Sequence, residues 1–352
     1  MDGMLSAFLD YAALHYTMTK IDAAAAQAPL RLPSRRHTAS NVERRVGVEL
    51  EFTGLSIERI SEIVRSTLGG EIRPHSAYEY TVANTPLGDF ALELDYAFLK
   101  ERGRRESQPG LLEEIERVSE DMLGAVAKRV VPFEIVGPPI AISELHAINA
   151  LISALREAGA RGTSQSAIYA FGLHLNPELP DLETETLLDY MRAFAVAFDW
   201  LKRVSEIDIS RRVFPYIQPY TKAYVRQICD PDYAPTREQL IDDYLAENAS
   251  RNRALDMLPV FAHLDEPRVR EAVSDGLIKA RPTLHYRLPN CEVERPGWDL
   301  HPAWNHWLVI EELAADPERL EQICADYCDA LDRPFGDWFG RWSHVFEQYL
   351  QR

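Results

Sequence analysis

The stretch that decides the fold is residues 44–52, RRVGVELEF, which ends in a strict alternation of apolar and acidic residues. Side chains of a β-strand point to opposite faces in turn, so the apolar residues share one face and Glu49 and Glu51 share the other. The two carboxylates then lie about 6 to 7 Å apart, a spacing that suits a hard cation such as Mg²⁺. Because acid pairs are also common on solvated strands, this stretch alone favours the simpler interpretation of a solvated face.

The composition is that of an ordinary globular protein and argues against two classes of partner. The chain has 352 residues, of which 46% are hydrophobic, enough for one large domain or two of ordinary size. It carries 38 basic and 55 acidic residues, a net charge of −17, and no dense basic tract. Nucleic acids and anionic membranes bind clustered positive charge, so we expect neither as a partner. No run approaches the roughly 18 apolar residues that a membrane span needs.

The cysteines indicate a reducing environment. They are Cys229, Cys291, Cys324 and Cys328, and their spacing matches no zinc motif. We interpret them as reduced core thiols, which predicts a cytoplasmic protein.

Further segments repeat the alternation of residues 44–52, namely residues 90–95, 133–136, 171–177 and 281–290. Each puts apolar residues on one face. The other face carries, in chain order, Glu93 and Asp95, Glu134, His174 and Asn176, and His285 and Arg287. Half-buried alternation is typical of an antiparallel sheet with helices on one side only. The pattern predicts an α+β fold with an antiparallel sheet, helices packed on one face and an acidic open face.

Helical spacing and capping residues predict the helices that cover the apolar face. After an N-terminal amphipathic helix, they run from Ser56 to about Leu68, from Leu111 to Val126, from Ser143 to Arg156, from Glu183 to Glu206, from Thr236 onward, from Trp304 to Leu313, and from Pro317 to the end.

The residue types on the open face indicate metal binding. A single histidine or glutamate is more often structural than a ligand. Several such faces together are harder to explain as coincidence, because clustered carboxylates repel one another unless a cation neutralises them. We therefore expect a divalent metal ion on this face.

Short motifs follow one another in a fixed order: GVELE at 47–51, FEIVGPP at 133–139, GLHLN at 172–176 and TLHYR at 283–287. In this order they resemble the motifs of the amidoligase family, within the glutamine synthetase-like carboxylate-amine ligases. The resemblance covers roughly residues 40 to 315 and implies a glutamine synthetase-like sheet whose acidic face binds Mg²⁺, ATP and a carboxylate substrate. It divides the chain into an N-terminal helix and linker (1–40), a catalytic domain (41–315) and a C-terminal helical extension (316–352).

The resemblance also implies roles for single residues. The residues that match metal ligands of the family are Glu49, Glu51, Glu134 and His174. The candidates for cofactor contact are Arg251, Arg253 and Asn176.

His285 departs from the family pattern, because the late motif usually has a glutamate at this position. Arg287 matches an arginine that is expected to contact a phosphate or the substrate carboxylate, and we assign both residues to catalysis. Three explanations of the departure stay open. Either His285 is a ligand of another kind, or Glu292 or Glu294 supplies the carboxylate, or one metal subsite is lost.

The implied function is an ATP- and Mg²⁺-dependent carboxylate-amine ligase that works through an acyl phosphate. Its partners would be a carboxylate and an amine, each a small molecule or a peptide, and the chain would be a monomer or dimer. One alternative is a phosphotransferase on the same kind of sheet. Another is a non-catalytic binding protein that retains the fold, an interpretation that the His285 departure favours.

Overall fold

The computed structural model describes residues 29–94, 132–163, 171–207, 217–332 and 341–351, and within these ranges the chain has an α+β fold. The described residues form a nine-stranded antiparallel sheet and ten α-helices. The predicted N-terminal helix, the predicted helix from Leu111 to Val126, and Asp95 lie outside the described residues.

The strand that contains the opening stretch lies in the middle of the sheet. The strands are β1 Arg45–Phe52, β2 Glu71–Ser76, β3 Glu79–Thr85, β4 Gly88–Leu94, β5 Phe133–Val136, β6 Ile140–Ala141, β7 Leu173–Pro177, β8 Leu255–Asp256 and β9 His285–Tyr286. Their order across the sheet is β2-β3-β4-β5-β1-β7-β9-β8, and β6 also pairs with β1. Strands β5 and β7 therefore flank β1 and bring their side chains next to it.

Alternation explains why these segments are strands. Val46, Val48, Leu50 and Phe52 of β1 are at most 2% exposed, so one face of the strand is core. The strands predicted at residues 44–52, 90–95, 133–136 and 171–177 are confirmed, apart from Asp95 and shifts of a residue or two at the ends.

The strand predicted at residues 281–290 is wrong in its extent, since only His285 and Tyr286 have strand structure. Pro282 and Pro289 have no backbone N–H and cannot donate to a strand ladder. The segment still runs beside β7, because the Leu284 N–H donates to Pro177 and the Leu173 N–H donates to Pro289.

Strands β2, β3, β6 and β8 have no counterpart in the sequence predictions. Strand β2 is an edge strand that contains Pro74, and its side chains are mostly exposed, so it lacks the apolar alternation used to find the others.

Seven of the ten described helices lie in segments predicted to be helical, and α4, α6 and α7 have no counterpart in the sequence predictions. They are α1 Ile57–Leu68, α2 Ala147–Glu157, α3 Thr184–Val204, α4 Lys222–Ile228, α5 Arg237–Asn248, α6 Leu258–Leu264, α7 Glu266–Ala272, α8 His301–Ala314, α9 Pro317–Asp332 and α10 Arg341–Leu350. Ser56 caps α1, which ends at Gly69 with φ 81°, and Thr236 and Gln239 form the capping box of α5. Helix α2 starts later than predicted, at Ala147, because residues 142–144 form a 3₁₀ turn.

The apolar face of the sheet packs against helices. Helix α1 contacts β3 and β4, and α3 contacts α8, α9 and α10. The rings of Phe194 on α3 and Tyr286 on β9 are 6.0 Å apart, which places α3 on the apolar side of β9. Packing of this kind leaves the other face for polar residues.

A buried ion pair joins the start of β1 to α8. The Arg44 guanidinium donates to both carboxylate oxygens of Glu311, at 2.8 and 2.7 Å, and both side chains are about 1% exposed. The Trp307 indole N–H also donates to Glu311, at 2.8 Å. This network holds the middle strand to the helical layer.

The segments outside the predicted catalytic domain contact it where the structure describes them. The Trp304 indole donates to the Arg31 carbonyl, and the Trp342 indole on α10 donates to Val196 on α3. The domain limits themselves stay a prediction. Within the described residues, no helix is long and apolar enough to cross a membrane.

Candidate metal centre

Strand register brings the predicted metal ligands to one face of the sheet. Residues paired directly across antiparallel strands point to the same face. Glu49 pairs with His174 of β7, and Glu51 pairs with Glu134 of β5, which in turn pairs with Glu93 of β4. Acids and a histidine that are far apart in sequence therefore become neighbours.

The first group of ligand atoms consists of Glu49, His174 and His285, whose candidate ligand atoms all lie within 4.8 Å of one another. Nδ1 of His174 is 3.0 Å from Oε2 of Glu49, and Nε2 of His285 is 3.7 Å from the same oxygen. The residues are 8%, 3% and 5% exposed. The predicted open face is thus closed to solvent at this group.

The second group consists of Glu51, Glu134 and His174, with ligand atoms again within 4.8 Å of one another. Nε2 of His174 is 3.4 Å from Oε1 of Glu51, while the other oxygen of Glu51 accepts a 2.7 Å hydrogen bond from the Gly172 N–H. Both carboxylates of this group are partly exposed. His174 belongs to both groups and lies between them.

Hydrogen bonds fix the direction of the Glu49 carboxylate. Its Oε1 accepts from the Asn176 amide at 2.7 Å and lies 3.7 Å from the Arg281 guanidinium, which also donates to Asn176 Oδ1 at 2.8 Å. Burial raises the pKa of Glu49, but His285, His174 and Arg281 outweigh it and hold that pKa well below its usual range. The carboxylate is therefore ionised at neutral pH, and its Oε2 faces the histidines.

His285 is a neutral imidazole at neutral pH. Burial lowers its pKa well below the usual range; Glu49 opposes this shift, and the charge of Arg287 adds to it. Nη1 of Arg287 is 3.5 Å from Nε2 of His285. Because a guanidinium can only donate, Nε2 is the acceptor in this contact, and a metal ion bound at Nε2 would take the place of the Arg287 N–H.

A further acid, Asp256, is paired with His285 across β8 and β9 and is 1% exposed. Burial raises the pKa of Asp256 to about 6. The hydrogen bond from the Leu258 N–H and the charges of Arg287 and Arg251 lower this pKa but do not cancel the effect of burial. The sequence analysis did not identify Asp256, because β8 has only two residues and no alternation to show its face. It also did not assign Arg281 to the site, although period-two spacing from His285 places Arg281 on the polar face.

Arg251 and Arg253 have partners outside the two ligand groups. Arg251 lies 3.6 Å from Asp275, and Arg253 donates to the backbone carbonyls of Pro219 and Glu247. These contacts tie Arg253 to the segment before α4 and to the last turn of α5, and cofactor contact by Arg251, Arg253 and Asn176 stays a prediction.

Neither of the alternative carboxylates lies in a metal-ligand group among the residues that the structure describes. Glu292 accepts from Arg295 at 2.9 Å, and Glu294 accepts from the Gly162 N–H at 2.7 Å. His285, not a glutamate, thus takes the third position beside Glu49 and His174.

The donor atoms decide which ions fit. Glu51 and Glu134 offer carboxylate oxygens on a partly exposed surface, which fits Mg²⁺ with water and phosphate oxygens completing its shell. The group around Glu49 offers two nitrogens and one oxygen, a set that Mg²⁺ does not favour.

Comparison with known proteins identifies the family. A family model described as "Putative amidoligase enzyme" matches residues 42–309, which is most of the chain. The chain belongs to this family. No curated protein and no solved structure matches it.

The matched range of this amidoligase family member extends from β1 into α8 and includes every residue of both ligand groups. The family named from the order of four short motifs is therefore confirmed, and the description of the family suggests an amide-forming ligase.

Proposed function

We propose that this amidoligase family member joins a carboxylate to an amine, using ATP and Mg²⁺, through an acyl phosphate. One observation carries the proposal. The pairing of β1 with β5 and β7 brings the side chains of Glu49, Glu51, Glu134 and His174 close enough to share cations on one face of the sheet. In the same proposal the sheet is glutamine synthetase-like and its polar face is the acidic face that receives ATP.

The proposed site uses charge and position rather than a protein nucleophile. Glu51 and Glu134 would hold Mg²⁺, which supplies charge neutralisation for the phosphates of ATP. Arg287 is our candidate for binding the substrate carboxylate or the transferred phosphoryl group, because its planar fork can donate two parallel hydrogen bonds. Its position 3.5 Å from His285 places it beside the first ligand group.

The chemistry balances in two steps. A carboxylate oxygen of the substrate attacks the γ-phosphorus of ATP, the bond from that phosphorus to the bridging oxygen breaks, and ADP leaves. The amine nitrogen then attacks the acyl carbon, the carbon–oxygen bond to phosphate breaks, and the nitrogen loses a proton. The products are an amide, phosphate and ADP.

The decisive assay incubates the chain with ATP, Mg²⁺ and pools of carboxylates and amines, including short peptides. Phosphate release that requires both pools, with a product whose mass is the sum of the two substrates minus water, supports the ligase. ADP formation on one pool with no amide indicates the phosphotransferase instead. ATP binding without turnover in any pool indicates the non-catalytic alternative.

Glu134→Gln tests the metal site independently of the substrates. Removing one charge should abolish Mg²⁺-dependent ATP binding. Without metal, the melting temperature should stay the same or rise, because repulsion from Glu51 is relieved. Glu62→Gln is the matched control, since Glu62 is an exposed glutamate on α1 that pairs with Arg59 at 3.3 Å. A lowered metal-free melting temperature in Glu134→Gln would mark this carboxylate as structural.

We further propose that the chain is cytoplasmic and acts as a monomer or dimer. Free cysteines, with Cys229, Cys291 and Cys324 buried, are in accord with a reducing compartment.

A further inference from the structure

The two ligand groups differ in the kind of atom that they present. Glu51 and Glu134 present carboxylate oxygens at a partly exposed position, whereas Glu49 is accompanied by two buried histidines. Imidazole nitrogen is a borderline donor that suits first-row transition ions, and Mg²⁺ prefers oxygen and keeps several waters. A position that is at most 8% exposed leaves little room for such waters.

Two distances in the buried group are close to those between ligand atoms that share an ion. Two ligand atoms about 2.1 Å from a shared ion lie about 3.0 Å apart at a right angle and about 3.4 Å apart at a tetrahedral angle. Oε2 of Glu49 is 3.0 Å from His174 Nδ1 and 3.7 Å from His285 Nε2. An ion at this point would replace the hydrogen bond between His174 Nδ1 and Glu49 and the contact of the Arg287 guanidinium with His285 Nε2.

The surrounding residues orient the donors. Asn176 and Arg281 engage Oε1 of Glu49, so Oε2 alone faces the histidines. Partners of this kind usually fix the direction of a metal-ligating carboxylate and raise its affinity.

We propose that Glu49, His174 and His285 form a subsite for a first-row transition ion, of which Co²⁺ and Zn²⁺ are representative, and that Mg²⁺ is confined to Glu51 and Glu134. The histidine that departs from the family pattern is then a ligand that changes which metal is bound. This inference rests on the metal-binding part of the proposed function. It adds that a second ion, different from the Mg²⁺ at Glu51 and Glu134, binds at the buried group.

The first test is made on the unaltered chain, freed of metal by chelation. Titration with Co²⁺ should give visible absorption bands of nitrogen-ligated cobalt. Equilibrium dialysis should show Co²⁺ bound at least about tenfold more tightly than Mg²⁺, the smallest step expected from exchanging a preferred for a disfavoured donor set. Excess Mg²⁺ should not remove the bands. Co²⁺ binding no tighter than Mg²⁺, or bands that Mg²⁺ abolishes, would overturn the proposal.

The second test changes His285. In His285→Asn, Co²⁺ affinity should fall at least about tenfold, and in His285→Glu the preference for Co²⁺ over Mg²⁺ should shrink because an oxygen donor replaces nitrogen. His344→Asn is the matched control, because the His344 side chain is 68% exposed on α10, and its Co²⁺ affinity should not change. Unchanged Co²⁺ affinity in a folded His285→Asn variant would remove His285 from the subsite.

These outcomes are separable from those of the ligase assay. Cobalt bands that depend on His285 would stand even if no pool of substrates gave an amide. Amide formation with Mg²⁺ alone and no cobalt bands would leave the ligase intact and refute the second ion.

Discussion

Replacing Asp256 by asparagine should make the metal-free protein more stable at neutral pH. Asp256 is 1% exposed, and burial raises the pKa of its carboxyl from 3.8 to about 6. At about 1.4 kcal/mol for each pH unit, keeping this carboxylate ionised at pH 7 costs about 3 kcal/mol relative to a neutral group. Asparagine removes the charge and keeps an oxygen that can accept the 2.9 Å hydrogen bond from the Leu258 N–H.

The direction in which stability changes with pH identifies the contribution of the buried Asp256 carboxylate. A carboxyl with a raised pKa contributes stability that is fully present below pH 3.8 and is lost as pH rises through about 6. Between pH 7 and pH 5 the free energy of unfolding of the native protein therefore rises by about 1.4 kcal/mol through this group, whereas that of the Asp256→Asn variant does not change through this position. The stability advantage of the variant should be largest at pH 7 and should shrink by that amount at pH 5.

Urea unfolding followed by the fluorescence of the buried Trp304 and Trp307, at both pH values and with a chelator present, measures this difference. Asp332→Asn serves as control, since the Asp332 side chain is 65% exposed at the end of α9 and its replacement should change stability by less than about 0.5 kcal/mol. A variant less stable than the native protein at pH 7 would refute the reasoning. It would show that the nearby guanidinium groups hold the carboxylate ionised at no net cost.

The other predictions concern the ion pair, the shared ligand and the proposed catalytic arginine. Arg44→Met should lower the free energy of unfolding by about 3 to 5 kcal/mol, because the buried Glu311 carboxylate loses its cationic partner. The double variant Arg44→Met, Glu311→Leu should recover much of this loss in the same urea assay. A double variant as unstable as Arg44→Met would contradict this explanation. His174→Ala should weaken Co²⁺ binding in equilibrium dialysis, and an unchanged Co²⁺ affinity would remove His174 from the site. Arg287→Lys should impair ATP turnover more than the melting temperature, because the charge stays while the two-pronged geometry is lost; normal turnover would exclude the proposed role.

Much of the fold follows from local sequence patterns. The alternation in residues 44–52 predicts both the strand and its two faces, because the side-chain period of a strand depends only on the backbone. Helix caps are also local signals. Ser56 and Thr236 accept hydrogen bonds from backbone N–H groups three residues later, so residues close in sequence determine where these helices begin. The order of the four short motifs along the chain was sufficient to identify the family.

Pairing and burial were decided by the tertiary structure. Alternation places Glu51 on the polar face of β1 but does not determine that β5 brings Glu134 opposite to it, because register depends on contacts between distant segments. The buried position of His285 results from packing around a two-residue strand between prolines. The neutral state of His285 and the raised pKa of Asp256 follow from that burial, which a local pattern does not specify. The sequence by itself determined that Glu49, Glu51, Glu134 and His174 lie on the polar faces of their strands, because the side-chain period of a strand is local. Only the folded sheet decided which of these residues meet, how deeply they are buried, and that Asp256 lies beside His285.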